Sequence, residues 1–296
     1  MRPAIALIGV SRRFGEVEAV TGIDLAVHPG ELAALVGPDG AGKTTVARLA
    51  AGALAPSAGR VEPESRGRVG YLTGRFSLYP DLTVWENLAF FGRVYAMSRA
   101  DLEQEGRRLL QWVGLLPFRD RLAGQLSGGM RQKLALACAV VHHPPTLILD
   151  EPTTAVDPVA RADFWQLLRQ QAREGRAVLV TTPYLDEAGY CDRVGLLHRG
   201  RLLAVDTAAA LTDRLPYRMA MLSGGEGRGG RAALLAAAEA LPGVVWTQPL
   251  GTGVRVALER GAPLAAPAPF ALAEAAPRLE DAYLWLSDYA AEVMRR

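Results

Sequence analysis

The sequence predicts an α/β protein with a mostly parallel sheet that is interrupted by an all-helical insertion. Short apolar runs rich in β-branched residues alternate with helical stretches, the pattern of a parallel sheet covered by helices. One run, ELAALVG, is apolar almost throughout, as expected of a strand buried on both faces. From Thr83 to about Val141, in contrast, the pattern is helical throughout.

The individual elements follow from residue periodicity and from turn residues. A helix is expected from Gly42 to about Leu54, and it should end there because Pro56 and Gly59 are typical of a turn. A second helix is expected from about Pro158 to Arg173. Ser98 with Asp101 resembles a helix N-cap. The predicted strands are AIALIGV, GIDLAV, ELAALVG, RVGYL, Thr146–Leu149, Ala177–Thr181 and Arg193–Leu197.

Composition excludes several classes of protein. The 296 residues carry 33 Lys and Arg against 31 Asp and Glu, a formal charge of +2, so a wholly basic nucleic-acid-binding protein is not expected. Two cysteines cannot build a disulfide framework. The apolar run LALACAVV is far shorter than the ~18–20 residues of a membrane helix. Without a signal-peptide pattern at the N-terminus, we expect a soluble, cytosolic chain.

The composition of the sequence changes near Pro216. This change predicts two domains, residues 1–215 and residues 216–296. The second is expected to be a small accessory α/β domain. Its segment GTGVRVALE predicts a half-buried strand in which Arg255 and Glu259 face solvent.

A glycine-rich loop is the first candidate site. GPDGAGKT, residues 37–44, fits G-x-x-x-x-G-K-[ST] and lies between an apolar strand and a predicted helix. Glycines let successive backbone N–H groups point at one anion, and the helix N-terminus adds partial positive charge. Lys43 is expected to reach the β- and γ-phosphates of a nucleotide, and the Thr44 hydroxyl to ligate Mg²⁺.

Two acidic residues form the second candidate site. Asp150 and Glu151 follow the apolar strand Thr146–Leu149, at the strand end where open α/β sheets bind ligands. We expect Asp150 to hold Mg²⁺ through water, and Glu151 to orient and deprotonate an attacking water.

A third motif opens another helix. Ser127, Gly128 and Gly129 precede the run MRQKLALACAVV, which predicts a second helix N-terminus with free amides and therefore a second anion site. Because one compact chain holds one nucleotide, the simplest use of this site is on the nucleotide of a partner chain.

With these motifs in this order, residues 1–215 resemble an ABC transporter nucleotide-binding subunit. The resemblance implies a P-loop NTPase fold, with a RecA-like core that has an antiparallel edge and a helical subdomain over about 75–141. It assigns catalysis to Glu151, Lys43 and Asp150, and Mg²⁺ binding to Thr44 and Asp150. The residues it implies for contact with ATP are Phe14, Gly37, Pro38, Asp39, Gly40, Ala41, Gly42, Lys43, Thr44, Thr45, Ser127, Gly128, Gly129 and Asp157, with Phe14 stacking on adenine.

The same resemblance implies partners. Two ATP molecules would be sandwiched between two such subunits, in a homodimer or a heterodimer. A separate integral membrane permease would hold them at the cytoplasmic face of the membrane, and no nucleic acid is expected. GRFSLYPDLTVWENLAFFGRVY and TTPYLDEAGYCDRV are similar to the drug- and antibiotic-exporting branch. In the first segment Trp85 is expected in the core, whereas Phe90 and Phe91 are either core or part of a permease groove.

Two positions depart from the family pattern. Gly74 stands where the family has a Gln that contacts Mg²⁺ and water, and Pro183 stands where it has a His. Proline offers neither a proton nor a donor N–H. We therefore expect good ATP binding with slow hydrolysis, unless backbone or water fills both roles. The alternatives are a regulatory subunit that pairs with an active sister ATPase and, less favoured, a non-transport ATPase that acts on ribosomes or DNA.

Overall fold

The computed structural model describes residues 2–62, 69–73, 78–154, 156–224 and 230–287. The chain divides into two compact units, Met1–Thr207 and Ala208–Arg296. This division lies earlier than the predicted 215/216 boundary, because the helix α6 (Ala208–Asp213) packs on a helix of the second unit. Within the described residues, no helix is long and apolar enough to cross a membrane.

The first unit is built on a six-stranded mixed sheet with the order β5-β6-β7-β3-β8-β9. All neighbours are parallel except β9, which pairs antiparallel with β8 at the edge, so the predicted antiparallel edge is confirmed. Every residue of β3, β6 and β7 is buried, as expected of strands covered on both faces. The strands are β3 (Leu32–Val36), β5 (Val69–Leu72), β6 (Thr146–Asp150), β7 (Ala177–Thr182), β8 (Arg193–His198) and β9 (Arg201–Asp206).

A three-stranded antiparallel sheet, with the order β2-β1-β4, completes the β-structure of this unit. Its strands are β1 (Ile5–Phe14), β2 (Val17–Val27) and β4 (Ala58–Glu62). β1 and β2 are longer than their short apolar runs predict. The reason is a set of register shifts near Gly9, whose φ of +58° lets the strand continue past an irregularity.

The helices of the first unit begin at polar caps. Thr83 and Glu86 form a capping box, and Ser98 caps the next helix as predicted. The prediction of helical structure throughout Thr83 to Val141 is wrong between Val113 and Ser127. There Gly114 adopts φ +73°, and only two short 3-10 helices follow. The helices are α1 (Lys43–Ala50), α2 (Val84–Val94), α3 (Arg99–Trp112), α4 (Gly128–Val140) and α5 (Pro158–Arg173).

The second unit has its own antiparallel sheet, with the order β11-β12-β10-β13. One face packs against α7, where Leu234 meets Val254 and Val256; Leu284 of α8 packs with Trp246 and Ala257 in a separate apolar cluster. The elements are β10 (Tyr217–Ser223), α7 (Gly230–Glu239), β11 (Val244–Leu250), β12 (Gly253–Glu259), β13 (Ala271–Glu274) and α8 (Leu279–Leu286).

The prediction that Arg255 faces solvent is wrong. β12 is a central strand, and Arg255 is only 2% exposed. Its Nε and Nη2 donate to the two carboxylate oxygens of the fully buried Asp281, at 2.8 and 2.5 Å, and Nη2 also donates to the Ala276 carbonyl at 2.7 Å. The backbone N–H of Arg278 donates to the same carboxylate at 2.7 Å. A charge can be buried here because its hydrogen bonds are satisfied.

Asp281→Asn should destabilise the second unit by about 3 kcal/mol, because it leaves the Arg255 cation buried without a counter-ion. Urea unfolding of the full chain, followed by limited proteolysis, measures this loss. Arg255→Met combined with Asp281→Leu should recover most of the stability, since both charges are removed together. Equal stability of Asp281→Asn and the unmodified chain would contradict the account.

Candidate phosphate-binding site

The glycine loop connects the end of β3 to the start of α1 and packs closely against its surroundings. A Cβ on Gly37 would lie 2.2 Å from the carbonyl oxygen of Leu197. Gly42 has φ +106°, and a Cβ there would lie 2.8 Å from Cγ1 of Val20. At these two positions the loop requires glycine for steric reasons, and at Gly42 for its backbone conformation too.

Backbone amides of the loop lie free beside a cleft of about 500 Å³. Among the described residues, the N–H groups of Gly40, Gly42, Lys43 and Thr44 donate to no protein acceptor. Unpaired amides at a helix N-terminus suit an anion with several oxygens, so the loop fits a polyphosphate. The cleft is lined by Val17, Glu18, Ala19, Gly40, Gly42, Lys43, Thr44, Thr45, Glu151, Arg199 and Gly200.

Asp150 ties the glycine loop to the sheet. Its Oδ1 accepts hydrogen bonds from the Thr44 hydroxyl at 3.1 Å and from the Thr181 hydroxyl at 2.7 Å. A hydroxyl beside a carboxylate is the all-oxygen donor set that Mg²⁺ takes next to phosphates, so this pair fits the predicted metal. Burial, followed by the negative charge of Asp150, raises the pKa of the nearby Tyr71 phenol.

Lys43 is buried and surrounded by oxygen atoms. Its Nζ donates to the carbonyls of Gly37 and Pro38 at 2.9 and 3.0 Å, and lies 3.1 Å from Oε1 of Glu151. The Asp39 carboxylate is 3.8 Å from the same nitrogen. The sequence predicts both Lys43 and Glu151 but not their direct contact, which depends on the turn after β6.

That turn holds Glu151 in a strained conformation. Its φ is +50°, and its backbone N–H donates to the carbonyl and hydroxyl oxygens of Thr181 at 3.0 and 3.1 Å. Positive φ is uncommon for a residue other than glycine and is concentrated at functional sites. In this conformation the Glu151 carboxylate contacts Lys43 of the loop.

The segment after β7 carries one of the two departures from the family pattern. Pro183 follows Thr182, whose hydroxyl bonds the buried carboxylate of Glu187 and accepts from the Tyr184 N–H at 3.1 Å. Arg161 of α5 lies 3.5 Å from the same carboxylate. These contacts hold the segment without a histidine. Gly74, the other departure, lies outside the described residues.

Five other predicted residues, Phe14, Ser127, Gly128, Gly129 and Asp157, lie elsewhere in the chain. Ser127 caps α4 by accepting from the Met130 N–H at 3.3 Å, and Asp157 caps α5 by accepting from two N–H groups. Gly129 packs so closely that a Cβ would lie 2.8 Å from Ala160. Phe14 pairs with Val17 across the β1–β2 ladder, is 46% exposed and lies under the Arg12 guanidinium. Within the described part of this chain, none of these five predicted contacts, Gly128 included, lines the cleft.

Part of the cleft lining was not predicted from the sequence. Val17, Glu18 and Ala19 belong to the start of β2, and Arg199 with Gly200 forms the turn between β8 and β9. The only local signal is the turn pattern HRGR, which says nothing about which loop it will contact.

Comparison with known proteins places these features in a family. The ABC transporter family matches residues 20–154. The "Probable multidrug ABC transporter ATP-binding protein YbhF" of Escherichia coli (strain K12) is 39% identical over 270 residues, 87% of this chain. The chain spans only 46% of that relative, about half its length. "Nod factor export ATP-binding protein I" of Paraburkholderia xenovorans (strain LB400) is 40% identical over 219 residues, 70% of this chain and 72% of the relative.

Solved structures agree. One described as the ATP-binding subunit of an ABC transporter is 28% identical, covers 71% of this chain and 92% of its own, and has a TM-score of 0.63. A dimeric bacterial ABC transporter cassette is 27% identical and has a TM-score of 0.62. The match covers 69% of this chain and 98% of the cassette. The predicted fold class and the resemblance to export proteins are therefore confirmed.

Gly37→Ala should lower the free energy of unfolding by about 2 kcal/mol, because its Cβ would overlap the Leu197 carbonyl in a packed interior. Gly40 offers a matched control: its φ is +77°, but a Cβ there meets nothing within 4 Å. Gly40→Ala should therefore cost only the backbone strain, about 1 kcal/mol. Thermal unfolding of both variants without nucleotide shows which variant loses more stability. A larger loss of stability in Gly40→Ala than in Gly37→Ala would contradict the prediction.

Proposed function

Because this chain belongs to the ATP-binding proteins of the ABC transporter family, we propose that it binds and hydrolyses ATP to power a membrane permease. The observation that carries the proposal is the buried Lys43, held among loop carbonyls beside four unpaired amides and 3.1 Å from the Glu151 carboxylate. Few ligands other than a polyphosphate would use such a cation together with a row of free N–H groups.

The roles of the residues follow from their chemistry. The loop amides and Lys43 bind the phosphate oxygens, and Thr44 with Asp150 holds Mg²⁺, which supplies charge neutralisation when bound. Phosphate oxygens compete with Glu151 for the Lys43 ammonium, which leaves the carboxylate available to orient water and accept its proton. Thr181 keeps Asp150 oriented through its 2.7 Å hydrogen bond.

A second subunit completes the site in this proposal. Ser127, Gly128 and Gly129 would present the start of α4 to the nucleotide held by a partner, with Asp157 nearby, in a homodimer or a heterodimer. Their position away from the cleft of their own chain supports this arrangement. Phe14, which pairs with the cleft residue Val17, would stack on adenine.

The helical insertion supplies the contact with the permease. Trp85 and Phe91 pack against the core, whereas Tyr79 and Phe90 are 46% and 38% exposed and meet edge to face at 4.8 Å. Exposed aromatic residues of this kind suit a protein partner. The names of the two relatives, multidrug transporter and Nod factor export protein, support an exporter. In this proposal the cargo is a drug or another hydrophobic molecule, and the chain lies at the cytoplasmic face of the membrane.

Lys43→Ala should abolish tight Mg-ATP binding in calorimetric titration while leaving the melting temperature without ligand nearly unchanged, because it removes the cation and not the loop. Equal ATP affinity of Lys43→Ala and the unmodified chain would refute the assignment.

Glu151→Gln should keep ATP binding and trap a nucleotide-dependent dimer, visible by analytical ultracentrifugation. A Glu151→Gln chain that stays monomeric at all nucleotide concentrations would instead indicate a different partner subunit.

The proposal also includes slow hydrolysis of ATP. Pro183 supports it, because proline has no hydrogen-bond donor for the γ-phosphate. Pro183→His combined with Gly74→Gln should raise ATP turnover by about tenfold. Coupled rather than additive effects are expected if both groups act on one phosphate. Turnover and melting temperature should be measured together. A well-folded double variant with unchanged turnover would contradict the slow-site proposal, and would leave the regulatory-subunit alternative without support from Pro183.

A further inference from the structure

We propose that Arg199 is a second cation of the nucleotide site, and that its guanidinium binds the phosphate at the nucleoside end of the chain. This inference rests on the proposed function, because it concerns the same cleft. Arg199 belongs to none of the sequence motifs that define the site. It reaches the cleft only because the tertiary structure brings the turn between β8 and β9 there.

The turn that carries Arg199 is attached to both walls of the cleft. The Gly200 N–H donates to the Ala41 carbonyl of the glycine loop at 2.9 Å, and the Gly200 carbonyl accepts from Thr21 of β2 at 2.8 Å. A Cβ on Gly200 would lie 2.7 Å from the Ala19 carbonyl. The turn is therefore wedged between loop and strand, which holds the backbone of Arg199 at the wall of the cleft that it lines.

Backbone strain singles out the same residue. Among the described residues, four that are not glycine have positive φ, and two of these, Glu151 at +50° and Arg199 at +45°, line this one cleft. A long side chain in this region costs conformational energy, and such strain concentrates where function requires a particular orientation.

The charged residues that line the cleft indicate a role for the Arg199 side chain. The cleft lining contains two cations, Lys43 and Arg199, and two carboxylates, Glu18 and Glu151. Lys43 is buried and already contacts Glu151. Arg199 is exposed at the cleft surface, where a guanidinium can meet the charge of an incoming polyphosphate.

The position along the nucleotide follows from the neighbours. Lys43, Thr44 and Glu151 mark the end of the cleft that would receive the terminal phosphate. The Arg199 turn contacts Ala41 and Thr21 of β2 instead, so in this proposal it faces the phosphate nearer to the sugar. Because ADP and ATP share the phosphate at that end, Arg199 should contribute equally to binding of both.

The experiment compares three variants by calorimetric titration with Mg-ADP and Mg-ATP. Arg199→Asn removes the charge with a residue that tolerates positive φ, and should weaken binding of both nucleotides by about fivefold. Arg199→Lys keeps the charge and should stay within about twofold of the unmodified chain. Arg201→Asn removes an exposed cation two residues away that does not line the cleft, and should change neither affinity.

Several outcomes overturn the inference. Unchanged affinities in Arg199→Asn, a loss for ATP alone, or an equal loss in Arg201→Asn would each do so, the last by indicating a general field effect. Lys43→Ala in the same titration separates this inference from the proposed function. Loss of binding in Lys43→Ala with no effect of Arg199→Asn leaves the nucleotide site in place and removes only Arg199. Without nucleotide, the melting temperature of Arg199→Asn should equal or exceed that of the unmodified chain, because Asn tolerates the positive φ better than Arg does.

Discussion

Asp150 accepts hydrogen bonds from Thr44 and Thr181, and through them joins the first turn of α1 to the ends of the neighbouring strands β6 and β7. The rest of the site depends on this junction. It positions the glycine loop above the carboxyl edge of the sheet, where Lys43 and Glu151 come within 3.1 Å. Parallel strands make the junction possible, because their carboxyl ends all meet at one edge.

Close packing gives the loop its shape. Gly37 lies against the carbonyl of Leu197, and Gly42 against Val20, so packing between β8 and β2 holds the loop together with the hydrogen bonds that Lys43 donates to its carbonyls. This leaves its amides free for a ligand, an arrangement that a self-satisfied turn would not offer. The same packing brings the β8–β9 turn to the cleft and explains how Arg199, outside every motif, comes to line it.

The second unit shows the opposite behaviour of charge. In the first unit a buried cation, Lys43, shares a cleft with free amides, whereas the buried Arg255 is paired through Nε and Nη2 with Asp281 and Ala276. These hydrogen bonds use the guanidinium within the protein, so the pair stabilises a particular arrangement of β12 and α8. Burial of a charged residue therefore marks a candidate site only when its surroundings are incomplete.

The sequence by itself determined the class of fold, the positions of Lys43, Thr44, Asp150 and Glu151, and the helix from Pro158 to Arg173, since each depends on local periodicity, capping or a short motif. Longer-range features needed the tertiary structure. The alternation around Arg255 indicated a half-buried strand, but α8 supplied a carboxylate to the polar face, and no local pattern contains that information. The break in helix between Val113 and Ser127 and the positive φ of Glu151 and Arg199 were likewise decided by packing. Contacts between residues distant in sequence depend on how elements meet, and hydrophobic periodicity specifies only which face of each element is buried.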